Sequence, residues 1–117
     1  DVDIAHGDAQ DEASLGPALA GVDVAYYLLH SLQQGKELER VEEQTALTFA
    51  RAARTARVKR IVYLGGLAPA LDEAQMSAHM RSRVRVGQAL SCVQASSSDQ
   101  GRHHLRCCAT SPNAFRR

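Results

Sequence analysis

Two short apolar segments with a long amphipathic stretch between them limit what this chain can fold into. Residues 22–29 are almost continuously apolar and include β-branched and aromatic side chains, and residues 60–64 follow the same pattern. Such runs are typical of strands covered on both faces, as in parallel sheets. Parallel neighbours need a long crossover connection, and residues 36–57 are long enough to supply a helical one. The sequence therefore predicts a strand–helix–strand unit with two buried parallel strands.

The connecting segment has the repeat of an amphipathic helix. Apolar residues and one threonine recur at steps of three and four along a single stripe: Leu38, Val41, Thr45, Phe49, Ala52 and Ala56. Acidic residues crowd its first turns and basic residues its last, as the helix dipole favours: Glu37, Glu39, Glu42, Glu43, Arg51, Arg54 and Arg57. A glycine would be natural where Arg57 ends the helix, so a positive φ at this arginine would carry strain.

An alternating segment and a short helix precede this unit. Residues 2–5 alternate polar and apolar, which predicts a short strand ending in a polar loop. A helix is predicted near 14–20, where both Asp11 and Ser14 are good N-caps. Ser14 is preferred because Pro17 then lies in the first turn, where no backbone hydrogen bond is lost.

Glycines and a third helical pattern complete the order of elements. Gly21 is placed to end the short helix, and Gly65 and Gly66 to end the strand at 60–64. Over 73–90, apolar residues and a glycine return at helical spacing: Met76, Met80, Val84, Gly87 and Leu90. The order β-α-β-α-β followed by a helix is that of half a doubly wound α/β sheet.

The composition changes near Cys92. Only three residues of the last segment are Leu, Ile, Val or Phe, too few to bury a face: Val93, Leu105 and Phe115. We therefore divide the chain into a partial domain at 1–91 and a tail at 92–117 without a clear fold. The tail is interpreted as disordered, or as the product of a gene or reading frame that departs from the parent fold near Cys92.

Metal binding is the alternative interpretation of the tail. Its candidate ligands are Cys92, His103, His104, Cys107 and Cys108. Adjacent cysteines and adjacent histidines lack the usual spacing of zinc ligands. No metal site is predicted.

Charge and hydropathy exclude several classes of protein. The chain has 14 basic and 13 acidic residues, so no overall charge attracts it to nucleic acid or an anionic membrane. No apolar run approaches the ~20 residues that span a bilayer, and no secretory leader pattern is present. We expect no nucleic-acid partner, no transmembrane segment and a cytoplasmic location.

Three segments, in this order, carry a resemblance to a known family. They are Gly7-Asp8, residues 21–31 and residues 58–67. They resemble the NAD(P)-binding, NmrA-like group of atypical short-chain dehydrogenases/reductases, related to NAD-dependent epimerases and dehydratases, and the similarity spans roughly 2–91. Residues 79–87 also resemble that group's helix after the fifth strand. The resemblance implies an α/β class fold, a partial doubly wound parallel sheet (Rossmann fold) holding roughly strands 3 to 5 with their helices.

The resemblance also implies cofactor contacts at six positions: Asp8, Leu29, His30, Ser31, Gly65 and Gly66. Asp8 corresponds to a carboxylate beside the adenine amine, although a plain interpretation makes it a turn or cap residue. Residues 29–31 follow the fourth strand, where ligands of open sheets lie, although His30 is also typical of a solvated loop. The two glycines allow close approach of the nicotinamide where active relatives carry Ser or Thr, and they also suit a simple strand-ending turn.

Candidate catalytic residues lie on the third predicted helix. Reductases of the wider superfamily place Tyr and Lys four residues apart, so that both side chains share one helix face and the cation lowers the tyrosine pKa. The matching positions here are His79 and Arg83. Arg83 keeps a positive charge for ribose hydroxyls and His79 can exchange a proton. A helix face with its charges turned to water is the other interpretation.

One part of the fold has no counterpart in the sequence. The glycine-rich first β-α turn, whose amides bind pyrophosphate, is absent. NADP or NAD is expected as cofactor of the full-length parent, with weak or absent binding by this chain. Without neighbouring strands, residues 22–29 expose an unpaired edge, and poor solubility of the isolated chain is expected.

The expected function is that of a fragment of an NAD(P)-binding oxidoreductase or epimerase-like protein, whose partners are a dinucleotide and an unidentified small-molecule substrate. Two alternatives stay open. One is a non-catalytic NmrA-like regulator that senses dinucleotides, indicated by His79 and by Gly65 and Gly66 in place of catalytic residue types. The other is a truncated gene product without function.

Overall fold

The computed structural model describes residues 1–30, 36–65 and 72–95. Its elements, in chain order, are α1 (Glu12–Leu19), β1 (Val24–Tyr27), α2 (Lys36–Thr55), β2 (Arg60–Tyr63), a short 3-10 turn (Glu73–Gln75) and α3 (Ala78–Ala95). Ser31, Gly66 and the tail beyond Ala95 lie outside the described residues. None of the helices described is both long and apolar enough to cross a membrane.

The two strands form a parallel sheet, as predicted. Val24 pairs with Arg60 and the register continues to Tyr27 opposite Tyr63. The long helix α2 connects them, which confirms the strand–helix–strand unit. Each strand has four residues and is shorter than the apolar segment that predicted it.

Small side chains line the face of α2 that is turned inward. Ala46 and Ala50 are fully buried, and Ala53 is 1% exposed. With only a methyl group at each position, the backbone of α2 can lie close to its neighbours in the core. Larger residues complete this core on the strands, with Ile61 of β2 fully buried.

The end of α2 is a tight turn that ends in a left-handed residue. Val58 N donates to Ala53 O at 2.9 Å and Arg57 N to Arg54 O at 3.0 Å, the bond pair of a Schellman motif. Arg57 has φ 60°, as the sequence predicted for a position where glycine would be natural. A left-handed backbone costs a residue with a Cβ about 1 to 2 kcal/mol. Val58, buried beside Ala53, secures the turn.

Helix α1 begins earlier than predicted. Its N-cap is Asp11, whose carboxylate accepts from Ala13 N at 3.1 Å. Ser14 lies inside the helix, and its hydroxyl accepts from Asp8 N at 2.8 Å. Pro17 therefore sits beyond the first turn, and the capping bonds offset the single backbone bond that proline removes. The prediction of Ser14 as N-cap was wrong.

The chain turns from α1 toward β1 at a glycine. Ala20 has φ −62° and ψ 124°, Gly21 has φ 74°, and Val22 N donates to Leu19 O at 3.2 Å. These angles form a type II turn, which needs positive φ at its third residue. The prediction that Gly21 ends the helix is confirmed.

No strand forms at residues 2–5, contrary to the prediction. Val2 and Ile4 are 90% and 84% exposed. A strand is defined by hydrogen bonds to a neighbour, and within the described residues the sheet consists of β1 and β2 alone. Alternation of apolar residues therefore produces no strand here.

Among the residues that the structure describes, helices cover only one face of the sheet. In β1, Ala25 and Tyr27 are buried, whereas Val24 and Tyr26 are 41% and 67% exposed. The prediction that residues 22–29 are covered on both faces was wrong for the part of the chain that the structure describes. The cause is the single helical layer, in which α1 and α3 pack against α2.

Helix α3 packs along α2 with a face that differs from the predicted stripe. Its buried residues are Ser82, Val86, Gly87, Ala89 and Leu90, while Met76, Met80 and Val84 are only partly buried. Between the helices, Glu39 binds Arg81 at 3.0 Å and Arg85 at 3.6 Å. The helix backbone continues past Cys92 to Ala95.

Candidate functional site

A cleft of about 160 Å³ opens where the two strands end. The first cleft, as we name it, is formed by residues from both strand ends, α2 and α3: Tyr27, Leu28, Leu29, His30, Glu42, Tyr63, Leu64, His79, Arg83 and Val86. The carboxyl ends of parallel strands are where open α/β sheets bind ligands. The fold thus brings four of the predicted site residues together: Leu29, His30, His79 and Arg83.

A second cleft, of about 250 Å³, lies beside the first. It is lined by Asp8, Ala9, Gln10, Tyr27, Leu29, His30, Val41, Glu42 and Thr45. Four residues border both clefts: Tyr27, Leu29, His30 and Glu42. The two clefts therefore adjoin each other at these residues.

His79 and Arg83 contact each other directly. Arg83 Nε donates to His79 Nε2 at 3.1 Å, one turn apart on α3. A guanidinium is always a donor, so the imidazole nitrogen of His79 is the acceptor of this bond. The pair therefore joins a cation to an imidazole ring on one face of α3.

Arg83 also joins α3 to the end of β2. Its Nη1 donates to Leu64 O at 3.4 Å, and the Tyr63 hydroxyl donates to Arg83 O at 3.4 Å. Both bonds connect α3 to residues at the carboxyl end of β2. The Arg83 side chain is thereby held at the mouth of the first cleft.

Asp8 has a structural role and also borders the second cleft. Its Oδ1 accepts from Gln10 N at 2.8 Å, and its carbonyl accepts from Asp11 N at 2.9 Å, just before α1. These bonds belong to a turn and favour the plain interpretation of Asp8. Asp8 is nevertheless one of the residues that line the second cleft.

The predicted glycines are only partly described. Gly65 is buried directly after β2, next to Leu64 of the first cleft. Gly66 and Ser31 fall outside the described residues. Their predicted cofactor contacts stay predictions.

Three polar residues of the site were not singled out from the sequence: Glu42, Tyr27 and Tyr63. Tyr27 packs edge-on against Phe49 and Tyr63, with ring centroids 5.1 and 5.9 Å away. Burial raises the pKa of the Tyr27 hydroxyl far above its usual value, and Tyr63 and Glu42 raise it further. Tyr27 therefore keeps its proton and serves as a neutral hydrogen-bonding group.

Glu42 was named from the sequence only among the acidic residues at the start of α2, and the structure shows that it is buried. It is 7% exposed and accepts a hydrogen bond from the fully buried Ser82 hydroxyl. Leu38, Glu42 and Ala46 follow each other at steps of four, so Glu42 continues the buried stripe of α2. One carboxylate between buried apolar positions of a helix is the sequence signal that could have identified Glu42 as a buried residue.

The described residues form a small α/β domain with two parallel strands joined by a helix and clefts at the carboxyl ends of the strands, an arrangement consistent with a partial Rossmann-like fold. No protein-family model and no curated protein matches the chain.

Solved structures do match. One structure of triphenylmethane reductase from Citrobacter sp. superposes with a TM-score of 0.64 at 25% identity, over 79% of this chain and 30% of that one. A second structure of that reductase, in complex with NADP(H), gives 0.59 at 24% identity, over 80% of this chain and 30% of the other. The chain thus spans less than a third of the length of either structure.

Proposed function

We propose that this chain is part of an NAD(P)-binding oxidoreductase that acts on a small molecule, and that its clefts receive part of the dinucleotide. The observation that carries the proposal is the meeting of Leu29, His30, His79 and Arg83 in one cleft at the strand ends. The similarity in fold to a reductase crystallised with NADP(H) supports it. NADP is for this reason the better supported of the two cofactors.

The residues present fit the two ends of a dinucleotide better than its middle. The second cleft offers Asp8 as an acceptor for amine and hydroxyl groups, and the first cleft offers Arg83 as a donor. The described residues include no glycine-rich turn at a helix N-terminus, the usual site for pyrophosphate. We therefore propose weak binding by this chain alone.

When bound, a nicotinamide cofactor supplies the hydride. The chain's own contribution is to orient groups around it: Arg83 donates toward a ribose hydroxyl, and Leu29 provides an apolar wall. His79 Nε2 accepts a hydrogen bond from Arg83 Nε. His79 is the residue of the first cleft that we propose to move a proton.

A second candidate is a regulator that binds the dinucleotide without turning it over. Two points favour it: the resemblance implies that His79 stands where the superfamily has its tyrosine, and burial raises the pKa of Tyr27, which lines both clefts. A general acid or base works best with a pKa near the operating pH, which excludes Tyr27 from that role.

The test is a fluorescence titration with NADPH and NADH, first on this chain and then on a longer protein that contains it. For this chain we expect a Kd in the millimolar range, about −4 kcal/mol, because phosphate contacts are missing. Submicromolar binding would contradict the proposed weak binding. No binding by a longer protein would reject both candidates.

Variants of the longer protein separate the enzyme from the regulator. Arg83→Gln is expected to weaken dinucleotide binding about tenfold, the loss of one charged hydrogen bond. Arg54→Gln, on the exposed end of α2, is the matched control and is expected to bind normally. An enzyme loses turnover in His79→Gln with little change in binding, whereas a regulator shows no turnover in either form.

A further inference from the structure

The first turn of α3 carries His79 but contributes little to the core. Ala78 and His79 are exposed, and Met80 is only partly buried. The buried residues of α3 begin at Ser82. A helix end opens readily when few apolar contacts hold it. Apolar packing is therefore not what fixes the place of His79 at the first cleft.

The side chain of Arg81 holds this turn by hydrogen bonds. Its Nε and Nη2 donate to Glu39 Oε1 on α2, at 3.2 and 3.0 Å. Its Nη1 donates to the carbonyl of Met76 at 2.6 Å. Side chains of a helix point back toward its N-terminus, which explains how Arg81 reaches a carbonyl five residues earlier. One guanidinium thus connects α2, α3 and the segment that leads into α3.

The bonds of Arg81 are well placed to resist movement. The side chains of Arg81 and Glu39 are only 29% and 14% exposed. Hydrogen bonds between charged groups are stronger than neutral ones, and exclusion of water strengthens them further. The planar guanidinium also holds its donors in a fixed geometry. The start of α3 is therefore held in one position relative to α2.

Arg81 itself lines neither cleft. Residues two apart in an α-helix lie about 200° apart around its axis, so Arg81 faces away from both His79 and Arg83. Those two residues, four apart, share one face of α3. Arg81 can therefore influence the first cleft only through the backbone of α3.

We propose that Arg81 is a positioning residue that fixes the first turn of α3 and thereby brings His79 and Arg83 together at the end of β2. The contacts that depend on it are the bonds from Arg83 to His79 at 3.1 Å and to Leu64 O at 3.4 Å. The second bond is already long, so a small shift of α3 breaks it. This inference rests on the proposed function only for the identity of the ligand that Arg83 binds.

The test follows the Arg83 Nε–H group by NMR, in the whole 117-residue chain fused to a soluble carrier, with the carrier alone as blank. The signal is assigned by its loss in Arg83→Lys. The hydrogen bond to His79 slows the exchange of this proton with water. In Arg81→Gln we expect the exchange to be about fivefold faster, as for the loss of one hydrogen bond.

Val58→Ala is the control for a loss of stability alone. Val58 is buried at the other end of β2 from the clefts, and its truncation leaves a cavity in the core. We expect the exchange of the Arg83 Nε–H to stay at the parent rate in this variant. An unchanged rate in Arg81→Gln, or an equal increase in Val58→Ala, would overturn the proposal.

Should Arg81→Gln fail to fold by circular dichroism, Arg81→Lys answers the same question. Lysine keeps the positive charge near Glu39 but lacks the planar fork that reaches two acceptors at once. The exchange of the Arg83 Nε–H is then expected to be about threefold faster, since part of the hydrogen bonding is lost. Exchange at the parent rate in this variant contradicts the positioning role.

NADPH titration of a longer protein separates this inference from the proposed function. Arg81→Gln is expected to weaken binding about fivefold, and to weaken it no further when combined with Arg83→Gln, because Arg81 acts through Arg83. Additive losses, or no loss in Arg81→Gln, would reject the positioning role. If the longer protein fails to bind NADPH while the exchange of the Arg83 Nε–H still depends on Arg81, the proposed function is wrong and this inference stands.

Discussion

Tyr26 and Tyr27 are neighbours in one strand, yet they belong to very different regions of the molecule. Tyr27 is 2% exposed under the helical layer, with Phe49 and Tyr63 against its ring, and Tyr26 on the opposite face is 67% exposed. The opposite face, which we call the bare face because none of the described helices covers it, nevertheless carries large apolar side chains at Val24, Tyr26, Leu28 and Leu64. The comparison shows that apolar side chains make a strand face suitable for burial. Whether that face is in fact buried depends on whether a helical layer packs against it.

The largest expected effect tests this contrast directly. Tyr27→Ala removes a packed ring and should lower the free energy of unfolding by about 3 to 5 kcal/mol. Tyr26→Ala, one residue earlier, should lower it by less than about 1 kcal/mol. Urea unfolding followed by circular dichroism measures both values. Equal losses would mean that the two faces are equally packed in solution.

A smaller effect is expected at the ion pairs of the two regions. Glu39 lies against Arg81 within the covered layer, with side chains 14% and 29% exposed, and Glu39→Gln should cost about 1 to 2 kcal/mol. The Asp23–Lys59 pair at the strand starts is 69% and 64% exposed, and Asp23→Asn should cost about 0.5 kcal/mol or less. Thermal melts in 0.15 M salt measure both losses of stability. If Asp23→Asn costs more than Glu39→Gln, the Glu39–Arg81 ion pair at the α2–α3 interface is not the more stabilising of the two pairs.

The helical layer also contains a position, Arg57, where a substitution is expected to increase stability. Arg57→Gly should raise the free energy of unfolding by about 1 kcal/mol, because glycine adopts the φ of 60° without strain. The control is Arg54→Gly, three residues earlier in the right-handed part of α2, which should lower it by about 0.5 to 1 kcal/mol. Effects of the same sign in the two variants would contradict the strain at Arg57.

The smallest effect on stability is expected on the bare face. Tyr26→Lys should leave the free energy of unfolding within about 0.5 kcal/mol of the parent value and reduce self-association, since charge protects exposed strands. Gln88→Lys on α3 adds the same charge at an exposed site elsewhere and should not change association. Sedimentation velocity over a concentration series measures the difference. A parent chain that stays monomeric throughout would show that the bare face does not associate.

The sequence predicts much of the covered unit. Two apolar runs and a helix with acidic and basic ends specify β1, α2 and β2, and Arg57 follows from the missing glycine at the end of α2. These features are local, so periodicity and capping chemistry reveal them. The strand predicted at 2–5 and the predicted cover on the second face were wrong, because both depend on neighbours that the described residues do not provide.

The candidate site was predicted in a similar way. The resemblance placed His79, Arg83, Leu29 and His30 at strand ends, and the structure brings them into one cleft. Glu42 was missed because it was assigned only one role from the sequence, as one of the acidic residues that the helix dipole favours at the start of α2. Its place between Leu38 and Ala46 was the local signal for burial, whereas its contact with Ser82 of α3 lies 40 residues away in sequence and could not be predicted from a local pattern.

The alanines of α2 make the cleft sensitive to changes far from it. Ala46, Ala50 and Ala53 have almost no accessible surface, so an added methylene at any of them has no void to enter. Helix α2 would have to shift outward as a rigid body, and this shift would displace α3 together with His79 and Arg83. Natural variants with Val or Leu at these alanines should therefore alter ligand affinity, with no change to any residue that the ligand touches.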